Sequence, residues 1–278
     1  MPAQPSQLIL TQDADGAADW QALLTAHGLP SWHCPAFVIH PLSDETVLAR
    51  FTDGMQPLAD DPVSRTRIIV LPSPAAVRVL AGALRRQRLG WPAGVWAGVP
   101  GAGTAQVFRQ QLGEPARLLC PPPPAQDAAH LALEILAALR ADDRGGPVSP
   151  ARLVLLNRPD GRTDWLEALR AQGIEVHVRP VYQVRACRAM PADLGTKLAA
   201  WQAEGRRLHW VVGAAAPLQT VAGWLAALPD PLRLWAGAQP LWVPHPRLLA
   251  QARGLGFARA HFYHHRQQLI EQLQSGQV

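Results

Sequence analysis

An internal repeat constrains this chain more than any other feature of its sequence. The segment that begins at Leu8 and the segment that begins at Leu153 align without a gap, at an offset of about 145 residues. So many identities at one offset are better explained by duplication than by coincidence, which predicts two similar units. The identical pairs are Leu8/Leu153, Leu10/Leu155, Asp15/Asp160, Gly16/Gly161, Asp19/Asp164, Trp20/Trp165, Leu24/Leu169, Ala26/Ala171, Gly28/Gly173 and Pro35/Pro180.

Each copy of the repeat has the pattern of a strand–helix–strand unit. A short apolar run opens the copy, as is typical of a buried parallel strand. A polar Asp-Gly turn follows, and apolar residues then recur at helical spacing. Gly28 and Gly173 stand where a helix needs a left-handed residue at its C-terminal end. A second extended stretch ends each copy, at residues 37–39 and 181–182.

Weaker similarities extend the repeat along each half of the chain. Residues 67–71 resemble residues 208–212, and a helical stretch follows in both places. The strand-to-helix turn at residues 99–104 resembles the turn at residues 242–247. Strands that alternate with helices predict an α/β fold with two similar lobes, each a mainly parallel sheet flanked by helices. Residues 142–150 are predicted to form a loop before the second copy.

Composition and charge exclude several classes of protein. The chain has 26 basic residues, all arginine except Lys197, and a net charge of +5. Such an arginine excess reflects a GC-rich genome or the binding of carboxylates and phosphates, and both causes can hold together. No nucleic-acid motif or basic run interleaved with aromatic residues is present, so no nucleic-acid partner is expected.

The same features bear on where the chain acts. Its three cysteines, Cys34, Cys120 and Cys187, are far apart and odd in number, as expected in a reducing cytoplasm. The N-terminus lacks the basic and apolar regions of a signal peptide. The most membrane-like stretch, residues 208–228, is interrupted by Gly213 and Pro217, which favours a buried strand and a helix over a membrane span.

A glycine-rich turn at residues 98–105 is the first candidate for a binding site. It opens a helix, where free backbone N–H groups and the helix dipole attract an anion. Neither a Walker motif nor a dinucleotide fingerprint is complete, because no lysine follows and Gln106 replaces the third glycine. The alternative is a tight strand-to-helix turn with Thr104 near the cap.

Other polar residues have both a structural and a functional interpretation. Ser73 can cap a helix or bind an anion. Arg162 can reach a carboxylate or remain solvated at the surface. Tyr182 can donate a proton to a leaving group, or it can pack as Phe37 does in the first copy. His245 and Arg247 can line a site or simply begin a helix.

The histidines do not predict a metal site. His261, His264 and His265 cluster near the C-terminus, but they lack partners at the spacing of known zinc motifs. We therefore expect surface histidines at these positions and no bound metal.

Several stretches over nearly the whole chain resemble the uroporphyrinogen-III synthase family. No single stretch is decisive, but their order and spacing together are specific. The similar stretches are LILT from Leu8, IHP at residues 39–41, IIVLPSPAAV from Ile68, GAGTA from Gly101, DGRTDWLEALRAQGIEVHVRPVYQVRA from Asp160, and VPHPRLLAQARGLGF from Val243.

The resemblance implies a bilobed fold in which the chain crosses twice between lobes. The first lobe would comprise residues 1–35 and 185–278, and the second would comprise residues 41–178. Residues 35–41 and 178–185 would form a two-stranded linker. Members of the family have their active site in the cleft between the lobes.

The resemblance also implies a reaction that needs no metal or cofactor. The substrate is hydroxymethylbilane, a linear tetrapyrrole with eight carboxylates. Loss of its terminal hydroxyl gives an azafulvene, ring D is inverted through a spiro intermediate, and the macrocycle closes. Such an enzyme is a lyase of porphyrin and haem biosynthesis, and we expect a cytoplasmic monomer that binds this tetrapyrrole.

Carrying the family's roles to the matching residues assigns a candidate site. Tyr182 would assist the departing hydroxyl, and the remaining residues would bind the acetate and propionate groups. The expected substrate-binding residues are Ser73, Gly101, Ala102, Gly103, Thr104, Arg162, Gly213, Ala214, His245 and Arg247.

Three departures from the family's pattern remove polar contacts. Gln12 follows Thr11 where an arginine is common, Ala75 replaces an asparagine, and residues 213–215 replace a Thr-Ser turn. Either backbone groups bind the substrate at these places, or the chain is an impaired paralogue that binds a tetrapyrrole or a partner. A small-ligand binding protein is a further alternative, since two duplicated lobes with a cleft suit that class too.

Overall fold

A computed structural model describes residues 6–53, 66–142 and 151–275 of the chain. By their contacts the residues divide into two compact units. Unit 1 comprises Met1–Val38 and Val184–Val278, and unit 2 comprises Ile39–Gln183. The chain therefore begins in unit 1, builds the whole of unit 2, and then completes unit 1.

The first pass through unit 1 is short. It contains β1 (Ser6–Leu10), α1 (Ala14–Ala26) and β2 (Ser31–His33), and β3 (Phe37–Pro41) then leads into unit 2. The elements of unit 2 are α2 (Asp44–Asp53), β4 (Thr66–Val70), α3 (Pro74–Arg86), β5 (Trp96–Gly98), α4 (Ala102–Leu112), β6 (Leu118–Leu119), α5 (Ala128–Asp142), β7 (Ala151–Asn157), a 3₁₀ turn (Asp164–Leu166), α6 (Glu167–Arg170) and β8 (Glu175–Pro180).

The return strand, β9 (Tyr182–Ala186), pairs with β3 in a two-stranded sheet. The remaining elements of unit 1 are α7 (Leu194–Ala203), β10 (Arg207–Val211), α8 (Ala215–Ala226), α9 (Asp230–Gly237), β11 (Leu241–Val243), α10 (Pro246–Gly254), β12 (Ala260–Phe262) and α11 (Arg266–Gln274). The loop predicted at residues 142–150 lies outside the described residues beyond Asp142, where α5 ends.

Each unit contains a five-stranded parallel sheet, and the two sheets have the same topology. The strand orders are β12-β11-β10-β1-β2 in unit 1 and β6-β5-β4-β7-β8 in unit 2. The repeat matches β1 with β7 and β2 with β8, and these strands hold the same places in their sheets. The two central strands pair in the same register in both units. Ser6 pairs with Arg207 in unit 1, and the equivalent residue Ala151 pairs with Thr66 in unit 2. The predicted fold class is therefore confirmed.

Both faces of each sheet are covered, which explains the apolar strands. Leu8 and Leu10 pack with α1 and α11 on one face of the unit 1 sheet. Ile9, between them, packs on the opposite face with α7, α8, α9 and α10. In unit 2 the matching residues Leu153 and Leu155 pack with α5, the 3₁₀ turn and α6. Successive side chains of a strand point to opposite faces of the sheet, so residues on both faces must be apolar to pack against the helices.

The two helices of the repeat differ in length although their buried residues match. Trp20 and Trp165 are both buried, and Gly28 and Gly173 both have a positive φ, +66° and +77°, as predicted for their caps. The first helix has 13 residues, whereas the second copy has a 3₁₀ turn and a four-residue helix. The second copy begins with Pro159, Arg162 and Thr163 where the first has three alanines, and alanine is the best helix former.

The extended stretch that ends each copy proved to be two strands instead of one. β2 and β8 complete the five-stranded sheets, while β3 and β9 form the separate two-stranded sheet. Pro35 and Pro180, which the repeat shares, stand at these breaks. Proline has no N–H to donate to a sheet, so it ends one ladder before the next begins.

The apolar stretch at residues 208–228 is a strand and a helix, as the sequence predicts. It contains β10, the central strand of unit 1, and α8, which packs on that sheet. Within the described part of the chain, no helix is both long and apolar enough to span a membrane.

A partly buried ion pair joins β7 to the neighbouring edge strand β8, and we predict that it makes stability depend on pH. Arg152 in β7 is 7% exposed, and its Nη2 lies 2.9 Å from Oε2 of Glu175 in β8. Burial alone would raise the pKa of Glu175, but hydrogen bonds from His177 and Arg152 lower it on balance. The carboxylate therefore stabilises the fold above its ordinary pKa, and this contribution is lost as pH falls through the lowered value.

Glu175→Gln should therefore lower the free energy of unfolding by about 1–2 kcal/mol at pH 7. The difference from the unaltered chain should shrink below about pH 4.5, and urea unfolding across pH measures it. Glu167→Gln, which removes an exposed pair with Arg170, is the matched control and should have little effect. If the two substitutions lower the free energy of unfolding equally at pH 7, the ion pair of Glu175 does not stabilise the fold as predicted.

Candidate functional site

The carboxyl ends of the strands in unit 2 bring most of the candidate residues to one edge of the sheet. Parallel strands all end at the same edge, and doubly wound sheets bind ligands where the strand order reverses. In unit 2 the order reverses between β4 and β7. Ser73 follows β4, Gly101 follows β5, and Tyr182 follows β8.

Ser73 and Tyr182 form a pair at this edge. Ser73 caps α3, and its Oγ accepts a hydrogen bond from the backbone N–H of Ala76 at 3.2 Å. The same Oγ lies 3.1 Å from the phenol oxygen of Tyr182. The cap predicted for Ser73 is therefore present, together with a side-chain contact that links two strand ends separated by more than a hundred residues.

Backbone bonds place Tyr182 at the end of the sheet. The N–H of Val181 donates to the carbonyl of Asn157 at 2.8 Å, which extends the ladder between β7 and β8. The carbonyl of Val181 accepts from Leu42 N–H at 3.0 Å. Tyr182 is 4% exposed, so its ring is held among other side chains.

The hydroxyl pair can present a proton to a ligand. Each hydroxyl has one hydrogen to donate and can also accept, and Ser73 already accepts from a backbone N–H. When Ser73 donates to the phenol oxygen, the phenol can donate its own hydrogen to another acceptor. A phenol is protonated at neutral pH, so the pair can donate a hydrogen bond to a departing oxygen.

The N-terminus of α4 lies next to this pair along the sheet edge. Gly101 occupies the cap position in an extended conformation, and its carbonyl accepts from Thr104 and Ala105 at 3.1 and 3.0 Å. The N–H groups of Ala102 and Gly103 precede the first intrahelical bond and face the exposed turn. A Cβ at Gly101 would lie 3.3 Å from Gln126, so the cap is closely packed.

Thr104 is 7% exposed and lies in the first turn of α4, with the backbone cap at Gly101. Both interpretations of the glycine-rich turn agree with this geometry, since the turn is tight and its N–H groups begin a helix. Arg162 lies in the turn after β7, where it is exposed and its Nη2 is 2.8 Å from Oδ2 of Asp164. Its role as a carboxylate ligand stays a prediction.

Unit 1 places its candidates at the corresponding edge of its own sheet. Ala214 follows β10 and caps α8, as Ser73 follows β4 and caps α3. His245 follows β11 and caps α10, where its Nδ1 accepts from Arg247 N–H at 3.3 Å. Gly213, Ala214 and Arg247 are exposed. Since alanine has no side-chain oxygen, the first turn of α8 gets no side-chain cap from Ala214.

Two residues at these edges were not among the predicted site residues. Asn157 ends β7 and is 6% exposed, and its amide fills the space that a Cβ on Gly161 would need. Gln12 follows β1, where its Nε2 donates to Val211 at 3.3 Å. The Oε1 of Gln12 is buried and has no hydrogen-bond partner in the described structure. A polar residue at the carboxyl end of an apolar strand is the signal that could have identified both.

The described residues contain no group of three or more His, Cys, Asp or Glu side chains arranged to hold a metal ion. Two of the C-terminal histidines are exposed, as expected: His265 caps α11, and His264 lies 4.5 Å from Phe262 between ring centroids. The expectation is wrong for His261, which is half-buried because its ring packs on Trp242, with 5.0 Å between ring centroids.

Comparison with known proteins identifies a family and a fold. The family model described as uroporphyrinogen-III synthase HemD matches residues 18–268 of the chain. A mutant uroporphyrinogen III synthase from Thermus thermophilus is 15% identical, with 98% of this chain and 97% of that chain covered and a TM-score of 0.53. The uroporphyrinogen-III synthetase of Helicobacter pylori is 11% identical, with 97% and 99% covered and a TM-score of 0.48.

We predict that Ser73 and Tyr182 stabilise unit 2 as a pair. Ser73→Ala should lower the free energy of unfolding by about 1–2 kcal/mol, because it removes a helix cap and a contact. A double-mutant cycle with Tyr182→Phe should give a coupling energy of about 0.5–1.5 kcal/mol. The control cycle of Ser73→Ala with Tyr263→Phe, in unit 1, should be additive. If the coupling energy of Ser73 and Tyr182 is no larger than that of the control cycle, the two residues do not stabilise unit 2 as a pair.

Proposed function

The chain belongs to the uroporphyrinogen-III synthase family, and we propose that it catalyses that family's reaction. It would close hydroxymethylbilane into uroporphyrinogen III, with loss of water and inversion of ring D, as a cyclising hydro-lyase. The observation that carries this proposal is the Ser73–Tyr182 pair at the carboxyl edge of unit 2, beside the N-terminus of α4.

The substrate suits the electrostatics of these edges. Helices α3 and α4 in unit 2, and α8 and α10 in unit 1, begin directly after strand ends. The N-terminus of a helix attracts anions through its free N–H groups and its dipole. A tetrapyrrole with eight carboxylates can use several such places. Backbone N–H groups at Gly101 to Gly103 and at Gly213 and Ala214 would hold acetate and propionate groups.

Tyr182 would act on the leaving hydroxyl. As the carbon–oxygen bond of the hydroxymethyl group breaks, electrons from the adjacent pyrrole nitrogen form the azafulvene. The departing hydroxide needs a proton to leave as water, and the phenol can hydrogen-bond it and supply that proton. Ser73 would hold the phenol oxygen in place. Ring D then attacks the azafulvene, is inverted through the spiro intermediate, and closes the macrocycle. The proton that ring D loses balances the one that the phenol supplies.

The remaining predicted residues would bind the substrate. Thr104 would offer a hydroxyl at the start of α4, and His245 and Arg247 would offer polar groups at the start of α10. Arg162 would exchange its exposed pair with Asp164 for a substrate carboxylate, which is feasible because exposed ion pairs are weak.

An impaired paralogue that binds a tetrapyrrole or a partner is the alternative function. Two observations favour it: Ala214 caps α8 without a side-chain oxygen, and Gln12 follows β1 in place of the family's common arginine. Activity on hydroxymethylbilane distinguishes the two functions directly.

We also propose that the protein acts as a monomer in the cytoplasm and without a cofactor. The three cysteines are unpaired, in agreement with a reducing compartment. The pyrrole nitrogens supply the electrons for the reaction, so substrate folding and proton transfer are the tasks left to the protein.

Tyr182→Phe should slow the formation of the type III isomer by roughly tenfold to a hundredfold. Loss of one positioned proton donor removes assistance to the leaving hydroxide, while the ring remains to pack. The purified protein is given hydroxymethylbilane, and the type I and type III porphyrins are separated after oxidation. Tyr263→Phe alters the only other tyrosine and is the control. Full activity of Tyr182→Phe would show that the hydroxyl takes no part in the reaction and that the ring only packs.

Thr104→Val should raise KM for hydroxymethylbilane severalfold and leave kcat nearly unchanged, because it removes a hydrogen-bonding group while it keeps the side-chain volume. Thr104→Ser retains the hydroxyl and should keep KM close to that of the unaltered protein. Steady-state kinetics with both variants measures the split. An unchanged KM in Thr104→Val would show that the hydroxyl does not contact the substrate.

A further inference from the structure

Arginine side chains converge at the amino edge of the unit 1 sheet, opposite the edge that carries the candidate functional residues of that unit. They line a pocket with a volume of about 290 Å³. Arg207 is the first residue of β10, and Arg259 directly precedes β12. The complete lining is Gly205, Arg206, Arg207, Trp235, Gln239 and Arg259.

We propose that this pocket binds a small polyanion, a molecule with two or more phosphate or carboxylate groups. The positive charge in the pocket is only partly neutralised by the described residues. Arg206 forms an ion pair with Glu204. Among the described residues, Arg207 and Arg259 form no ion pair, which leaves two guanidinium groups for a ligand.

Burial and this positive charge together lower the pKa values of groups around the pocket. Burial, and then the charge of Arg259, lowers the pKa of Arg207 below its usual range. Burial lowers the pKa of His209 to about 4, with further contributions from Arg207 and Arg259. The pKa of His261 is lowered as well, again by burial first and by the same arginines next. An anion between the two arginines would offset the part of these shifts that comes from their positive charge.

Hydrogen bonds and packing hold two of the lining residues, Gln239 and Trp235, in place without a ligand. The Oε1 of Gln239 accepts from Leu208 N–H at 3.1 Å, and its Nε2 donates to the carbonyl of Trp235 at 3.2 Å. Trp235 packs on the main core of unit 1. Gly205, with a φ of +65°, follows α7 and directs the chain to Arg206 and Arg207. Preorganised walls lower the entropic cost of binding.

Unit 2 shows that the fold does not require these arginines. Arg117 corresponds to Arg259, because the carbonyl of each accepts a hydrogen bond from the neighbouring strand. The N–H of Ala97 donates to Arg117 and the N–H of Leu241 donates to Arg259, both at 2.9 Å. Arg117 instead packs over Trp96 at 4.5 Å. Thr66 begins β4 where Arg207 begins β10. The duplicated unit therefore keeps the same backbone with one arginine engaged and the other absent.

A phosphate or carboxylate fits this arrangement better than an uncharged ligand does. Guanidinium groups bind both anions through paired N–H donors, and the bond is strengthened by charge on both partners. The ends of α7 and α9 lie beside the pocket, directly before β10 and β11. The negative C-terminal ends of these helix dipoles stabilise the positive arginine side chains at this edge when no ligand is bound.

Titration calorimetry of the full chain at low salt tests the proposal with two probes, pyrophosphate and citrate. At least one probe should bind saturably at one site, and the tighter of the two identifies the preferred anion. Arg207→Gln and Arg259→Gln should each weaken binding about tenfold to a hundredfold. Arg117→Gln, the matched substitution in unit 2, should leave binding unchanged.

Two further measurements test whether the anion binds in this pocket and not at the carboxyl edge of the sheet. Without an anion, Arg207→Gln and Arg259→Gln should unfold at the same temperature as the unaltered chain or higher, since repulsion is removed. Both variants should form type III porphyrin at an unchanged rate, because the pocket lies at the opposite edge of the sheet. No saturable binding of either probe, or equal weakening by Arg117→Gln, would overturn the proposal.

Discussion

The parallel pairing of two central strands in each unit is the constraint on which the rest of the structure depends. In unit 1, β1 pairs with β10 over five residues, from Ser6 with Arg207 to Leu10 with Val211. In unit 2, β4 pairs with β7 in the same register. These pairings bring the carboxyl ends of the strands together and orient the helices that follow them. Thr11 extends the first pairing, since its N–H and its hydroxyl both donate to the carbonyl of Val211.

Duplication supplied two similar scaffolds, and the residues at the strand ends then diverged. Ser73 corresponds to Ala214, Gly101 to His245 and Tyr182 to Phe37, and each pair occupies the same place beside its own sheet. Unit 2 thereby has a hydroxyl pair and a glycine-rich helix start, whereas unit 1 has a helix start without a side-chain cap and an imidazole cap. Under the proposed function, proton donation would therefore fall to unit 2, and both units would offer helix N-termini to anions.

The two edges of a parallel sheet differ in electrostatics, and the chain places different residues at each. Helix N-termini meet the carboxyl edge and attract anions directly. Helix C-termini meet the amino edge and favour cations, which accommodates Arg207 and Arg259 in unit 1. The corresponding arginine of unit 2 packs on a tryptophan ring, and a threonine takes the first position of β4 beside it. The same fold thus carries two arginines in a pocket of unit 1, whereas in unit 2 the one corresponding arginine packs on a ring.

The sequence by itself determined the duplication, the parallel α/β lobes and the left-handed glycines at positions 28 and 173, because these follow from local periodicity and from backbone sterics. It also indicated which turns carry polar groups. Only the tertiary structure decided that Ser73 meets Tyr182, that Arg162 pairs with Asp164, and that Asn157 fills the space beside Gly161. Those contacts depend on which strand ends become neighbours and on how side chains pack between them, and neither property is encoded in a local pattern.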